Sequence, residues 1–120
     1  MRTIAFRLVA FLLLSLPVAA FAGERGFFGF APNVTTGGFV LNPTVQGIVI
    51  ARVVPGSPAA RAGILAGDEV LKVEDTVVRG AKALALHGMI EKDVGQTLRA
   101  TLRHAGGAVY SVSMVAVARP

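Results

Sequence analysis

The chain has 120 residues, no cysteine and a formal net charge of +5. Without a thiol it forms no disulfide and cannot be anchored as a lipoprotein. Its lysines and arginines are scattered singly, without the basic stripe and interleaved aromatic residues of a nucleic-acid-binding surface, so nucleic acid is excluded as a partner.

The N-terminus has the pattern of a secretory signal peptide. Arg2 and Arg7 precede an apolar run at 8–16, and a small-x-small triplet ends at Ala22. The alternative is an uncleaved membrane anchor, but a membrane-spanning helix needs about 20 consecutive apolar residues. We therefore predict a signal peptide over 1–22, cleaved after Ala22.

The remaining 98 residues predict a single domain at 23–120, with a core at 26–117. This length is sufficient for one hydrophobic core. After cleavage no membrane span remains, and the location predicted for the protein is the periplasm or the medium. The oligomeric state does not follow from the sequence.

The first elements of the domain read as strands. Segments 26–34 and 37–42 predict a hairpin that turns at 35–38, where two glycines can adopt a positive φ. The segment 43–46 interrupts the strand pattern. Residues 47–54 are almost entirely apolar, which predicts a strand that is buried on both faces.

A short helix is predicted next. Ser57 is placed to cap it, Pro58 suits its first position, and Gly63 suits the left-handed residue that ends it. The residues that follow form a turn in which Asp68 is expected to accept a hydrogen bond. Segment 69–75 alternates in polarity, as a half-buried strand does.

The C-terminal half predicts a second helix and a second hairpin. Residues 81–92 have apolar side chains at helical spacing. Segments 97–104 and 108–117 form the hairpin, with His104 expected to be exposed at its turn. The fold class predicted is α+β, a small and partly open β-barrel or sandwich of five or six strands with two helices.

This order of elements resembles the PDZ domain. Residues 50–75, IARVVPGSPAARAGILAGDEVLKVED, are similar to the middle of such a domain, and GFFGF at 26–30 is similar to its carboxylate-binding loop. The likeness extends over 26–117. It is strongest to PDZ domains of the bacterial envelope, such as those attached to high-temperature-requirement serine proteases and carboxy-terminal processing proteases, although here the domain stands alone.

The resemblance implies a module that binds the C-terminus or an extended segment of another envelope protein by β-strand addition. It assigns the carboxylate-binding loop to Phe28, Gly29 and Phe30. The peptide groove it implies is lined by Ala31, Ala83, Leu86, His87 and Ile90.

Three further features bear on the resemblance. Arg25, just before the loop, could assist carboxylate binding or be merely solvated. Pro32 lies in the strand that would pair with the peptide and has no N–H to donate. Glu74, Asp75 and Thr76 replace the usual Asn-Gly turn, and Asp75 is the residue expected to accept a positive φ.

No catalytic site, metal site or cofactor is predicted. Two distant histidines and no cysteine do not form a familiar zinc site, and Ser57 lacks the motif of a nucleophile elbow. We therefore expect a binding protein rather than an enzyme. Two alternatives are a scaffold protein whose groove is filled from within, for instance by Phe39 or Leu41, and an accessory regulator of a separate envelope protease.

Overall fold

The computed structural model describes residues 24–120, and the predicted signal peptide lies outside them. The described part is an open antiparallel sheet with two helices, which confirms the predicted α+β fold. The strands are β1 Phe30–Phe39, β2 Asn42–Val53, β3 Glu69–Val73, β4 Thr76–Val77, β5 Thr97–Arg103 and β6 Val109–Val115; the helices are α1 Pro58–Arg61 and α2 Ala83–Ile90. In the sheet the strands follow the order β1-β2-β3-β5-β6, and β4 pairs with β3.

The first hairpin is longer than the sequence predicts. Its turn lies at 40–41, and the predicted turn at 35–38 is part of β1. Strand β2 also continues through 43–46, where an interruption was expected. Val45 donates its N–H to Ala81, away from β1. Pro43, two positions earlier, therefore also faces away from β1, and its missing N–H removes no bond from that pairing.

Strand β2 is buried on one face only, contrary to the prediction for 47–54. Ile48 and Ile50 are 3% and 1% exposed, whereas Val49 between them is 43% exposed. The helix α2 and the β5–β6 strands contribute to a core on one side of the sheet, so alternate residues of β2 are left facing outward.

Helix α1 has the ends that the sequence predicts. The Ser57 side chain accepts a hydrogen bond from the N–H of Ala60 at 3.2 Å, and Pro58 occupies the first turn. Gly63 has φ +91° just beyond the helix. Four residues are too few for a helix that is stable alone. Tertiary contacts therefore hold it, among them the bond from the N–H of Ala59 to the carbonyl of Phe28 at 2.9 Å.

Two local predictions in the second half of the chain need correction. The positive φ between β3 and β4 belongs to Glu74, at 52°, and not to Asp75. Helix α2 is shorter than 81–92, because Lys82 and Glu91 at its ends have extended backbones.

His104 is not simply exposed at its hairpin turn. Its Nδ1 lies 2.9 Å from the Asp68 carboxylate, and its ring stacks on Tyr110 with centroids 4.1 Å apart. Asp68 is 2% exposed and accepts hydrogen bonds from Tyr110 Oη and, as predicted for a turn residue, from the N–H of Leu65 at 3.0 Å. This cluster joins the turn before β3 to the β5–β6 hairpin.

The cluster perturbs both of its acids. Burial alone would raise the pKa of Asp68, but the hydrogen bonds from Tyr110, Leu65 and His104 outweigh it and hold the pKa below its usual value. Burial, together with the neighbouring carboxylate, raises the pKa of Tyr110. Asp68 is therefore a structural anion.

Candidate functional site

The loop before β1 is fixed on both sides. Gly26 donates its N–H to the carbonyl of Lys92, and Phe27 donates to the carbonyl of Val117, both at 2.8 Å. Gly29 has φ +88°, and a Cβ at that position would lie 2.1 Å from the Cβ of Ser57. The chain can make this close approach only because position 29 carries no side chain.

Three successive carbonyl groups of this loop are engaged with the rest of the fold. Phe27 accepts from Val117 at 3.1 Å, Phe28 from Ala59 at 2.9 Å, and Gly29 from Val54 at 2.7 Å. These carbonyls therefore point toward β2, α1 and the C-terminal segment.

The N–H groups of the same peptide units must point the other way. The described chain has no cis peptide bond, and in a trans peptide the C=O and N–H are directed oppositely. The N–H groups of Phe28, Gly29 and Phe30 are thus turned away from the anchoring contacts. Within residues 24–120, no backbone acceptor pairs with the N–H of Phe28 or Gly29. Consecutive N–H groups without an internal acceptor are the donors from which anion-binding nests are built.

A cavity of about 280 Å³ adjoins the loop and carries excess positive charge. Its charged lining consists of Arg25, Glu91, Lys92 and Arg119. Arg25 forms an ion pair with Glu91 at 3.0 Å, and the Arg119 guanidinium carbon lies 5.3 Å from the centre of the Phe27 ring. The Nζ of Lys92 in turn lies 3.6 Å from Oε1 of Glu74. The three cations outnumber the two carboxylates that pair with them, so the cavity keeps a positive potential that attracts anions.

The sequence-predicted loop residues lie together with one residue of α2. Phe28, Gly29, Phe30 and Ile90 line the same cavity. Phe28 is 7% exposed and belongs mainly to the core, while Phe30 is half-buried with its ring centroid 6.2 Å from that of Phe28.

The remaining predicted groove residues are divided between surface and core. Ala31 and Ala83 are half-buried. The His87 side chain is 70% exposed, and its Nε2 lies 2.6 Å from Oε1 of Glu91. Leu86 is 2% exposed and packs in the core, so it has almost no surface for a ligand.

Among residues 24–120 no strand pairs with the outer edge of β1, which is the first strand of the sheet. Val54 donates to Gly29, so the pair of Phe30 with Val53 is of the non-hydrogen-bonded type. Phe30 therefore directs both its N–H and its C=O outward, away from β2. A peptide strand could add at this position.

Pro32 faces the same edge. Its partner Ile50 bonds with Gly67 and Asp68, on the side away from β1. The pair of Pro32 and Ile50 is thus also non-hydrogen-bonded, and Pro32 presents a carbonyl but no donor outward. The outer edge of β1 thus offers the carbonyl groups of Phe30 and Pro32 as acceptors, but it lacks an N–H donor at position 32.

Sequence reasoning missed the contributions of Lys92 and Arg119 to the loop cavity. Both residues reach the loop only through the pairing of segment 25–27 with 92–93 and with Val117. Their neighbours in sequence carry no pattern that indicates this proximity.

The described residues contain neither a metal-binding cluster nor a membrane-spanning helix. Within residues 24–120, no group of three or more histidine, aspartate or glutamate side chains is arranged to hold a metal ion. In the same range, every helix is too short or too polar to cross a membrane.

Comparison with known proteins identifies the domain. Residues 49–103 match the PDZ domain family. The curated protein described as the putative serine protease HhoA of Synechocystis sp. is 50% identical over 36 residues, which are 30% of this chain and 9% of that protein. This segment therefore belongs to a PDZ domain.

Solved structures agree on the fold. The photosystem II D1 C-terminal processing protease matches 87% of this chain and 27% of its own, with a TM-score of 0.61 and 21% identity. The HtrA-type protease AlgW with a decapeptide matches 80% of this chain and 30% of its own, with a TM-score of 0.57 and 23% identity. The PDZ domain of the carboxy-terminal protease from Vibrio cholerae, in complex with peptide, matches 78% of this chain and 94% of its own, with a TM-score of 0.52 and 17% identity. The two proteases are matched over less than a third of their length.

Proposed function

We propose that this protein is a peptide-binding module of the bacterial cell envelope. It captures the free C-terminus of another protein in the nest of Phe28, Gly29 and Phe30, and pairs the last residues of that protein with the outer edge of β1. This mode of recognition combines a carboxylate held by backbone N–H groups with β-strand addition.

The observation that carries the proposal is the orientation of the loop. Three carbonyls in succession are bonded inward, which leaves three N–H groups in succession for a ligand. The adjoining cavity adds Arg25, Lys92 and Arg119. A carboxylate is the terminal group that this set of donors and positive charges suits.

Pro32 limits how far the peptide pairs with β1. The carbonyl of Phe30 can accept the first ladder bond from the peptide, but position 32 cannot return one. A missing hydrogen bond of this type is worth about 0.5–1.5 kcal/mol. Recognition is therefore concentrated on the last few residues of the partner, and affinity is modest.

The position of the first hairpin's tip argues against the alternative in which the protein fills its own groove. Leu41, one of the two residues expected to fill the groove, is 92% exposed. The side chain of Phe39 lies outside what the structure describes.

The proposed location and the absence of catalysis have separate support. The segment 1–22 has the charge, apolar run and small-residue triplet of a signal peptide. The two polar residues that could attract a catalytic interpretation have structural partners, since Ser57 caps α1 and Asp68 binds His104 and Tyr110. N-terminal sequencing of the protein from a periplasmic extract tests the location; a chain that still begins at Met1 would contradict it.

The binding proposal is tested with a library of fluorescent decapeptides, each with a free and an amidated C-terminus. Amidation removes the charge and one acceptor, and hydrogen bonds to charged groups contribute about 1.5–3 kcal/mol, so binding should weaken by about 10- to 100-fold. Equal binding of the amide would refute carboxylate capture.

A matched pair of variants locates the site. Arg25→Gln removes a cation that lines the loop cavity, whereas Arg99→Gln removes an exposed cation of β5 that does not line it. We expect weaker binding and a smaller salt dependence for the first variant only. If both variants weaken binding equally, attraction to the whole protein and not this cavity is responsible.

A further inference from the structure

A second cavity lies on the outer face of the sheet, where β2 and β3 separate. The two strands pair only between Val49 and Glu69. Farther along, Val45 of β2 exchanges hydrogen bonds with Gly80 and Ala81 instead, each at 2.8 Å. The divergence leaves a cavity of about 390 Å³. Its size is within the usual range of small-molecule sites, about 300–1,000 Å³.

The charged side chains around this cavity are mostly cations. Three are basic, Lys72, Arg79 and Arg103, and one is acidic, Glu69. Arg103 forms an ion pair with Glu69. Within residues 24–120, Lys72 and Arg79 form no ion pair. Lysine and arginine side chains donate hydrogen bonds and accept none. The N–H groups of both side chains are therefore available to an anion in the cavity.

Gly47 keeps this cavity open. A Cβ at this position would meet no atom within 4 Å, and the φ of Gly47 is not in the left-handed region. Gly47 is next to the buried Ile48, and alternation along β2 places it on the outer face with the cavity. A side chain at 47 would therefore enter the cavity without backbone strain.

We propose that this outer-face cavity binds a small anion that carries at least two negative charges on phosphate or carboxylate groups. Lys72 and Arg79 supply the free charges, and Arg103 supplies a third cation that Glu69 keeps in place. None of the residues that line it also lines the loop cavity, so this site is separate from the proposed peptide site and does not depend on it.

The first test is a titration of the isotope-labelled protein followed by amide NMR shifts. The probes are pyrophosphate and citrate, with sodium chloride as a control at matched ionic strength. We expect saturable shifts that centre on Gly47, Lys72 and Arg79, and the stronger of the two probes identifies the preferred group. Simple ion pairing between exposed charges in water is weak, so it does not saturate at low probe concentration. If neither probe gives saturable shifts up to about 10 mM, the proposal is overturned.

Charge removal tests the residues themselves. The double variant Lys72→Gln, Arg79→Gln should weaken binding by about tenfold or more. Arg61→Gln removes an exposed cation of α1 that does not line the cavity, and should change binding less than about twofold. Equal losses in both proteins would mean that the anion responds to overall charge, which refutes a specific site.

A ligand-free measurement covers the case in which the double variant unfolds. Gly47→Glu places a carboxylate among the cations, and Gly47→Gln places a neutral group of the same shape there. We expect the glutamate variant to have the higher Tm at low salt, and this difference to disappear at about 1 M salt, where the Debye length is about 3 Å. No difference between the two variants at low salt would show that the cavity does not attract an anion.

Discussion

Gly29 is the position where a single added carbon should be most informative. It combines φ +88° with a close approach to Ser57, whose Cβ and Oγ would lie 2.1 Å and 2.4 Å from a new Cβ. Gly29→Ala therefore introduces two separate penalties. One is backbone strain, and the other is a collision with the residue that caps α1.

The magnitude of each penalty can be worked out. A left-handed conformation costs an L-residue about 1–2 kcal/mol, and forcing a methyl group into a filled space costs about 1–3 kcal/mol. Gly29→Ala should thus lower the free energy of unfolding by about 2–5 kcal/mol. In a domain of this size each kcal/mol lowers Tm by about 4–8 °C.

Two control variants separate the penalties in a thermal unfolding assay. Gly63 has φ +91° but nothing within 4 Å of a new Cβ, so Gly63→Ala should show the strain alone. Ser57→Gly removes both colliding atoms and, as a cap, costs only a few tenths of a kcal/mol. In the double variant Gly29→Ala, Ser57→Gly we expect about 1–3 kcal/mol to be recovered.

Two results would refute this reasoning. One is a Gly29→Ala variant that loses no more stability than Gly63→Ala. The other is a double variant that recovers nothing, because the collision with Ser57 would then not be the source of the loss. A larger substitution such as Gly29→Val would unfold the domain and so could not report on peptide binding alone.

Three further predictions concern other parts of the chain. The pKa of Asp68 is lower in the folded protein than its reference value of 3.8, so the stability that Asp68 contributes is present above that pH and is lost as the pH falls through the folded pKa. Asp68→Asn should cost about 1–3 kcal/mol near neutral pH and remove this acid-dependent loss, as urea unfolding between about pH 2 and 7 would show; parallel pH profiles for the two proteins would contradict it. Pro32→Ala restores a donor to the edge of β1 and should tighten peptide binding by about 2- to 10-fold in fluorescence anisotropy, and unchanged binding would mean that no ligand strand reaches position 32. Leu41→Ser at the hairpin tip, 92% exposed, should change stability by less than about 0.5 kcal/mol, whereas Leu98→Ala, at 2% exposed, should cost about 2–5 kcal/mol in the same unfolding assay; a large loss for the former would show that the tip is packed in solution.

The sequence by itself determined the elements whose ends depend on neighbouring residues. Ser57, Pro58 and Gly63 frame α1 through contacts within one turn of chain, and all three act as predicted. The alternation in 97–103 likewise defines β5. The PDZ fold follows from such local signals in their order along the chain.

Only the tertiary structure decided the features that depend on distant partners. Pro43 remains in β2 because its missing N–H faces away from β1, and His104 is partly buried because Asp68 and Tyr110 meet it there. The pattern of polar and apolar residues along the sequence carries no information about either contact.

The candidate site divides in the same way. The resemblance of GFFGF at 26–30 to a PDZ carboxylate-binding loop indicated where the loop lies, and Gly29 is the residue that allows the close backbone approach there. The direction of its N–H groups was decided by Val54, Ala59 and Val117, which bind the opposite ends of the same peptide units. Local conformational preference thus fixed where the chain turns, and long-range hydrogen bonds fixed which of its polar groups remain free for a ligand.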